Sequence, residues 1–97
     1  MAALSEYTNV YNTALLILRQ KGFQLWYDTR TGDFCAERDG WDFKSPTPCG
    51  LLGVVAIFEF NAPSEFQEYW WREEGPELYR NLPQTPERWY RPIGAGT

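Results

Sequence analysis

Residues 48–60, PCGLLGVVAIFEF, constrain this chain more than any other segment. Thr47 followed by Pro48 suits a helix N-cap and its first helical position, where the missing proline N–H costs nothing. Val54, Val55 and Ile57 are β-branched and suit a strand, but the length and the Thr-Pro start favour a helix. Such a helix is apolar nearly all round, so it has to be covered from more than one side. Its uninterrupted apolar run, LLGVVAIF, has eight residues and is too short to span a bilayer.

The segment before it supplies one cover. FQLWYD (23–28), DFCAER (33–38) and WDFK (41–44) read as three strands rich in aromatic and β-compatible residues. TRTG joins the first two, with Gly32 able to take a positive φ. Asp39-Gly40 joins the second and third and is the strongest hairpin signal in the chain, because a type I′ turn needs positive φ at both positions. The expected product is an antiparallel meander. Phe23, Leu25 and Tyr27 would share one face, and Gln24 and Trp26 the other.

A first helix is expected over 5–21, with Ser5 as N-cap and Gly22 just past its end. Tyr7, Val10, Tyr11, Ala14, Leu15, Ile17 and Leu18 would form its core face, leaving Leu16 exposed. A third helix is expected over 64–74. Ser64 and Gln67 form an S-x-x-Q capping box, Glu68 and Arg72 an i,i+4 pair, and Gly75-Pro76 a stop. On that helix Phe66, Tyr69 and Trp70 share a stripe that would close over the 48–60 helix. Trp71 would lie well round from them, beside Gln67 and Glu74. Pro76, Pro83, Pro86 and Pro92 forbid a long helix beyond. Residues 76–97 are therefore expected to be irregular and laid over the core, with Tyr79, Leu82 and Trp89 as anchors and 94–97 frayed.

The expected fold is thus α+β, a single domain over 1–97. Its order is α-β-β-β-α-α, with helices packed on one face of a three-stranded antiparallel meander.

Composition narrows the chemistry. The chain has 97 residues, 43% hydrophobic and 18% aromatic, ample for a packed core. Thirteen acidic and nine basic residues give a net charge of −4, and the basic residues are scattered. That balance opposes phosphate-backbone binding. The first residues lack the layout of a signal peptide. Cys35 and Cys49 read as two reduced thiols of a cytoplasmic protein, and both suit small buried positions. Cys49, in the first turn of a helix, is the better candidate for a reactive one.

No histidine is present, which removes Ser-His-Asp and Cys-His catalysis and most transition-metal sites. Asp28, Asp33, Asp39 and Asp42 resemble a metal-binding set only in sequence. Successive turns of a meander lie at opposite ends of the sheet, so two-by-two turn chemistry explains them. Gly50 and Gly53 lack the spacing of a phosphate loop. No catalytic, cofactor or metal residue is therefore assigned. Glu65, Glu68, Glu73, Glu74 and Glu77 suit a solvated face, or an acidic rim around an aromatic anchor at Trp71.

The order helix, three-strand meander, helix over about residues 5–60 resembles the double-stranded-RNA-binding domain in topology. That family grips phosphate with lysines at the start of its second helix. Here the place reads Thr47-Pro48-Cys49-Gly50-Leu51, and the TRTG loop offers one arginine. RNA binding is not implied without the basic motif.

The function expected is a small, acidic, non-catalytic cytoplasmic protein that binds another protein, as an inhibitor, antitoxin, immunity or adaptor protein does. Trp71, Glu68, Glu74, Arg72 and Glu77 are the candidate contact residues. A diverged nucleic-acid-binding domain ranks second. The two separate on surface: a basic stripe for nucleic acid, an exposed aromatic patch for protein.

Overall fold

The computed structural model describes residues 2–86. In chain order they form a 3-10 turn at Thr8–Val10, α1 (Tyr11–Gln20), β1 (Gln24–Asp28), β2 (Asp33–Arg38), β3 (Trp41–Ser45) and α2 (Pro48–Asn61). The class is α+β, with an antiparallel sheet of order β1-β2-β3.

The turns set the register. Asp39 and Gly40 take φ of 55° and 85°, the pair of positive values that a type I′ turn requires. Arg38 then faces Trp41 and Ala36 faces Phe43. Gly32, at φ 77°, donates its N–H to the Asp28 carbonyl at 2.8 Å. Asp28 Oδ1 accepts from the Arg30 N–H at 2.9 Å, which closes the TRTG loop as an Asx turn. Hydrogen bonds from the Arg30 side chain and backbone hold the Asp28 carboxyl below its ordinary value.

Pleating divides the sheet into two faces. Leu25, Ala36 and Phe43 lie side by side on the inner face. Trp26, Cys35 and Lys44 make the matching row on the outer face. The core of Leu18, Phe23, Ala36, Phe43, Leu51 and Val55 unites α1, the inner face and α2, so both helices pack on that face.

Local chemistry explains each helix end. Thr47 Oγ1 accepts from the Gly50 N–H at 2.9 Å, with Pro48 following it at the first helical position. At the end of α1, Phe23 N–H donates to Leu18 O at 3.2 Å and Gly22 N–H to Arg19 O at 3.0 Å. These are the two bonds of a Schellman motif. Gly22 takes the left-handed φ of 94°, and Leu18 and Phe23 supply the accompanying apolar contact. Arg38 ties this corner down: its Nη1 donates to Lys21 O at 2.7 Å and its guanidinium lies 4.5 Å from the Phe23 ring centroid.

The structure corrects the sequence reading in three places. The first helix is shorter than 5–21. Ser5 does not cap it; its carbonyl accepts from Tyr7 N–H at 3.0 Å. Tyr7 is 69% exposed, and the segment before Val10 has no burial to repay helix nucleation. Leu16 is exposed as expected, but Ile17 is exposed too.

No helix forms over 64–74. Trp70 N–H bonds Gln67 O and Arg72 N–H bonds Tyr69 O, giving separate turns, and Tyr69 takes a left-handed φ of 60°. A continuous helix would hold Phe66, Tyr69 and Trp70 on one stripe; the reversal at Tyr69 turns Trp70 alone inward. Phe66 stands 75% exposed, and no Glu68–Arg72 ion pair forms. Last, Tyr79 and Leu82 are not anchors, because both are well exposed. Trp89 and residues 94–97 lie outside the described residues.

Two glycines of α2 test this packing. A Cβ on Gly50 would run into Ser45 Oγ and approach Thr47 Oγ1 to 3.0 Å, whereas one on Gly53 meets nothing within 4 Å. Gly50→Ala should destabilise by about 1–2 kcal/mol through overpacking. Gly53→Ala, at an exposed helix interior, should stabilise by about 0.5–1 kcal/mol. Paired urea melts read both; destabilisation by the second change would refute the helix geometry around it.

Candidate functional site

Trp70 is where the site begins. Its ring meets Trp41 of β3 at 5.3 Å and Phe58 of α2 at 6.0 Å, both edge to face. It is half-buried and covers one side of α2. Among the described residues the cover is incomplete. Ile57 remains 45% and Phe60 73% exposed on the helix.

Beside Trp70 lies a cleft of about 250 Å³ lined by Phe43, Val54, Ile57, Trp70 and Trp71. Every lining residue is apolar. Trp71 forms its outer lip and is 50% exposed. Tyr69 stands against Trp71 with centroids 5.9 Å apart, and the Arg72 guanidinium lies 4.3 Å from the Tyr69 centroid and 5.7 Å from that of Trp71. Asn61 fixes this turn to α2: its Nδ2 donates to Ile57 O at 3.1 Å and to Trp71 O at 3.5 Å.

A second groove, of about 460 Å³, opens on the other side of Trp70. Gly40, Trp41, Asp42, Glu65, Phe66 and Trp70 line it.

The structure brings only some of the expected residues together. Trp71 and Arg72 are in one cluster with Tyr69. Glu68 and Glu74 are exposed and make no side-chain bond among the described residues. Glu77 turns instead to Arg80, at 3.9 Å. Ile57, Phe60, Asn61 and Val54 are additions. Their signal was present, since a helix apolar all round, whose core face carries Leu51 and Val55, must show Ile57 and Phe60 elsewhere.

Other chemistry is thin. Asp28 pairs across β1–β2 with Asp33 at one end of the sheet, and Asp39 and Asp42 stand at the other. Among the described residues no group of three or more cysteine or carboxylate side chains could hold a metal ion. Cys35 and Cys49 are both free thiols, Cys35 buried in the outer-face row and Cys49 partly exposed. No helix of the described residues is long and apolar enough to cross a membrane. Comparison of the chain with protein-family models, with curated proteins and with solved structures returns no match.

The neighbouring tryptophans should separate in a stability measurement. Trp70→Ala removes a half-buried ring from two aromatic partners, Trp41 and Phe58, and should cost about 2–4 kcal/mol. Trp71→Ala should change stability by less than about 1 kcal/mol, as exposed substitutions do. Equal, large losses in denaturant melts would mean that Trp71 is core and that the cleft is not a free surface.

Proposed function

We propose that this chain is a small acidic, non-catalytic cytoplasmic protein that binds another protein, in the manner of an inhibitor, antitoxin, immunity protein or adaptor. One observation carries the reading: Ile57 and Trp71 stand exposed in a cleft with a wholly apolar lining, and the exposed Tyr69 ring packs against Trp71. Aromatic anchors beside apolar pockets are the usual energetic centre of protein interfaces. The net charge of −4 and the exposed Glu68, Glu73 and Glu74, close to Trp71 in sequence, favour a partner with a basic surface.

A partner captured from the native host by the wild-type chain should bind Trp71→Ala more weakly by about 2 kcal/mol or more. Calorimetry with the purified partner reads this. Equal affinity for both forms would remove Trp71 from the interface. Light scattering that showed the patch consumed by self-association would remove the separate partner.

The helix–meander–helix order favours a second reading, a diverged nucleic-acid-binding domain. The basic side chains speak against it. Lys21 pairs with Glu59 at 3.0 Å and Arg30 with Asp28 at 3.4 Å. Arg38 is folded over Phe23, Arg72 over Tyr69, and Lys44 stands on the outer face of the sheet. Among the described residues these five form no stripe for a phosphate backbone. Gel shifts with duplex RNA at physiological salt should show no binding. Salt-sensitive micromolar binding would promote this reading.

A further inference from the structure

The groove between the β2–β3 turn and residues 65–70 holds a chemistry that the apolar cleft lacks. Three aromatic rings, Trp41, Phe66 and Trp70, line it together with two carboxylates, Asp42 and Glu65. The two indoles meet at 75° with centroids 5.3 Å apart, so they form a corner. Asp42 and Glu65 make no ion pair or side-chain hydrogen bond among the described residues. The nearest arginine in sequence, Arg38, is engaged with Lys21 O and Phe23. Gly40 leaves the mouth open, since a Cβ there would meet nothing within 4 Å.

Ring faces attract cations through their quadrupole, and carboxylates do so through charge. A hydrated metal ion would gain nothing from three rings, whereas an organic cation can use rings and carboxylates at once. We propose that this groove receives the cationic side chain of an arginine or lysine on the partner protein, an assignment that rests on the protein-binding reading above. The apolar cleft then takes an apolar anchor of the same partner on the other side of Trp70. The two grooves together read a basic residue beside a hydrophobic one.

The direct test uses the full chain labelled with nitrogen-15 and follows the indole N–H signals of Trp41 and Trp70. The probes are the blocked tripeptides Gly-Arg-Gly and Gly-Lys-Gly, the neutral Gly-norleucine-Gly, and choline. The arginine and lysine peptides should shift both signals saturably in the millimolar range, less so at high salt. Norleucine should not. The double variant Asp42→Asn, Glu65→Gln should bind the basic peptides at least about tenfold more weakly. Both positions are exposed, so the fold should be retained, and an unchanged amide spectrum checks this.

Flat titrations, equal shifts from norleucine, or unchanged affinity of the double variant would overturn the proposal. Tighter binding of choline than of either basic peptide would also overturn it, in favour of a small free cation. The titration needs no partner. A flat result would leave the Trp71 patch standing, and failure of the Trp71→Ala experiment would leave a saturating titration standing.

Discussion

Phe58 is the point on which the rest of the structure turns. Its ring lies 5.1 Å from Trp41, 5.1 Å from Phe43 and 6.0 Å from Trp70, and the Arg38 guanidinium is 5.9 Å from its centroid. One side chain thus joins α2, two strands and the turn that follows α2. The contacts with Phe43 and Trp70 are edge to face and that with Trp41 is tilted; aromatic pairs in favourable geometry add about 0.5–1.5 kcal/mol each beyond area burial. The joint also decides what remains uncovered. With Leu51, Val55 and Phe58 committed inward, Ile57 and Phe60 look outward. Among the described residues, the turn after α2 delivers Trp70 and leaves Ile57 and Phe60 exposed.

The parts of the fold legible in the sequence were those fixed by chemistry within a few residues. Thr47-Pro48 marked the start of α2, Asp39-Gly40 the tight hairpin, and Gly22 the end of α1. In each the backbone has few alternatives. The misreadings share another cause. Ser64, Gln67, Glu68 and Arg72 all favour a helix locally, but a short isolated helix is marginal, and docking of Trp70 against Trp41 and Phe58 wins. Ser5 likewise begins a helix on paper that has nothing to pack against until Ala14 and Leu18. The anchors assigned to Tyr79 and Leu82 rested on aromatic and aliphatic character alone.

The candidate site was half legible for the same reason. That Trp71 differs from Trp70 could be argued from spacing, though the device that parts them is a left-handed Tyr69 rather than a helical stripe. Placing a non-glycine residue there costs about 1–2 kcal/mol, which the docking of Trp70 has to offset. The carboxylate-and-ring groove was out of reach of any local rule. Asp42 read as turn chemistry and Glu65 as part of a solvated run, and only the tertiary fold puts them at one opening.

The meander has a consequence for how fast this chain finds its structure. Its strands are joined by loops of four and two residues, so their pairing closes very short loops and demands little chain entropy. Hairpins of this length form in microseconds. The docking of α1 against α2 spans the whole meander instead, and it cannot be rewarded until the inner face of the sheet exists. The expected nucleus is therefore the β2–β3 hairpin with the first turns of α2, where Ala36, Phe43, Leu51 and Val55 gather. The turn bearing the two tryptophans condenses on it last.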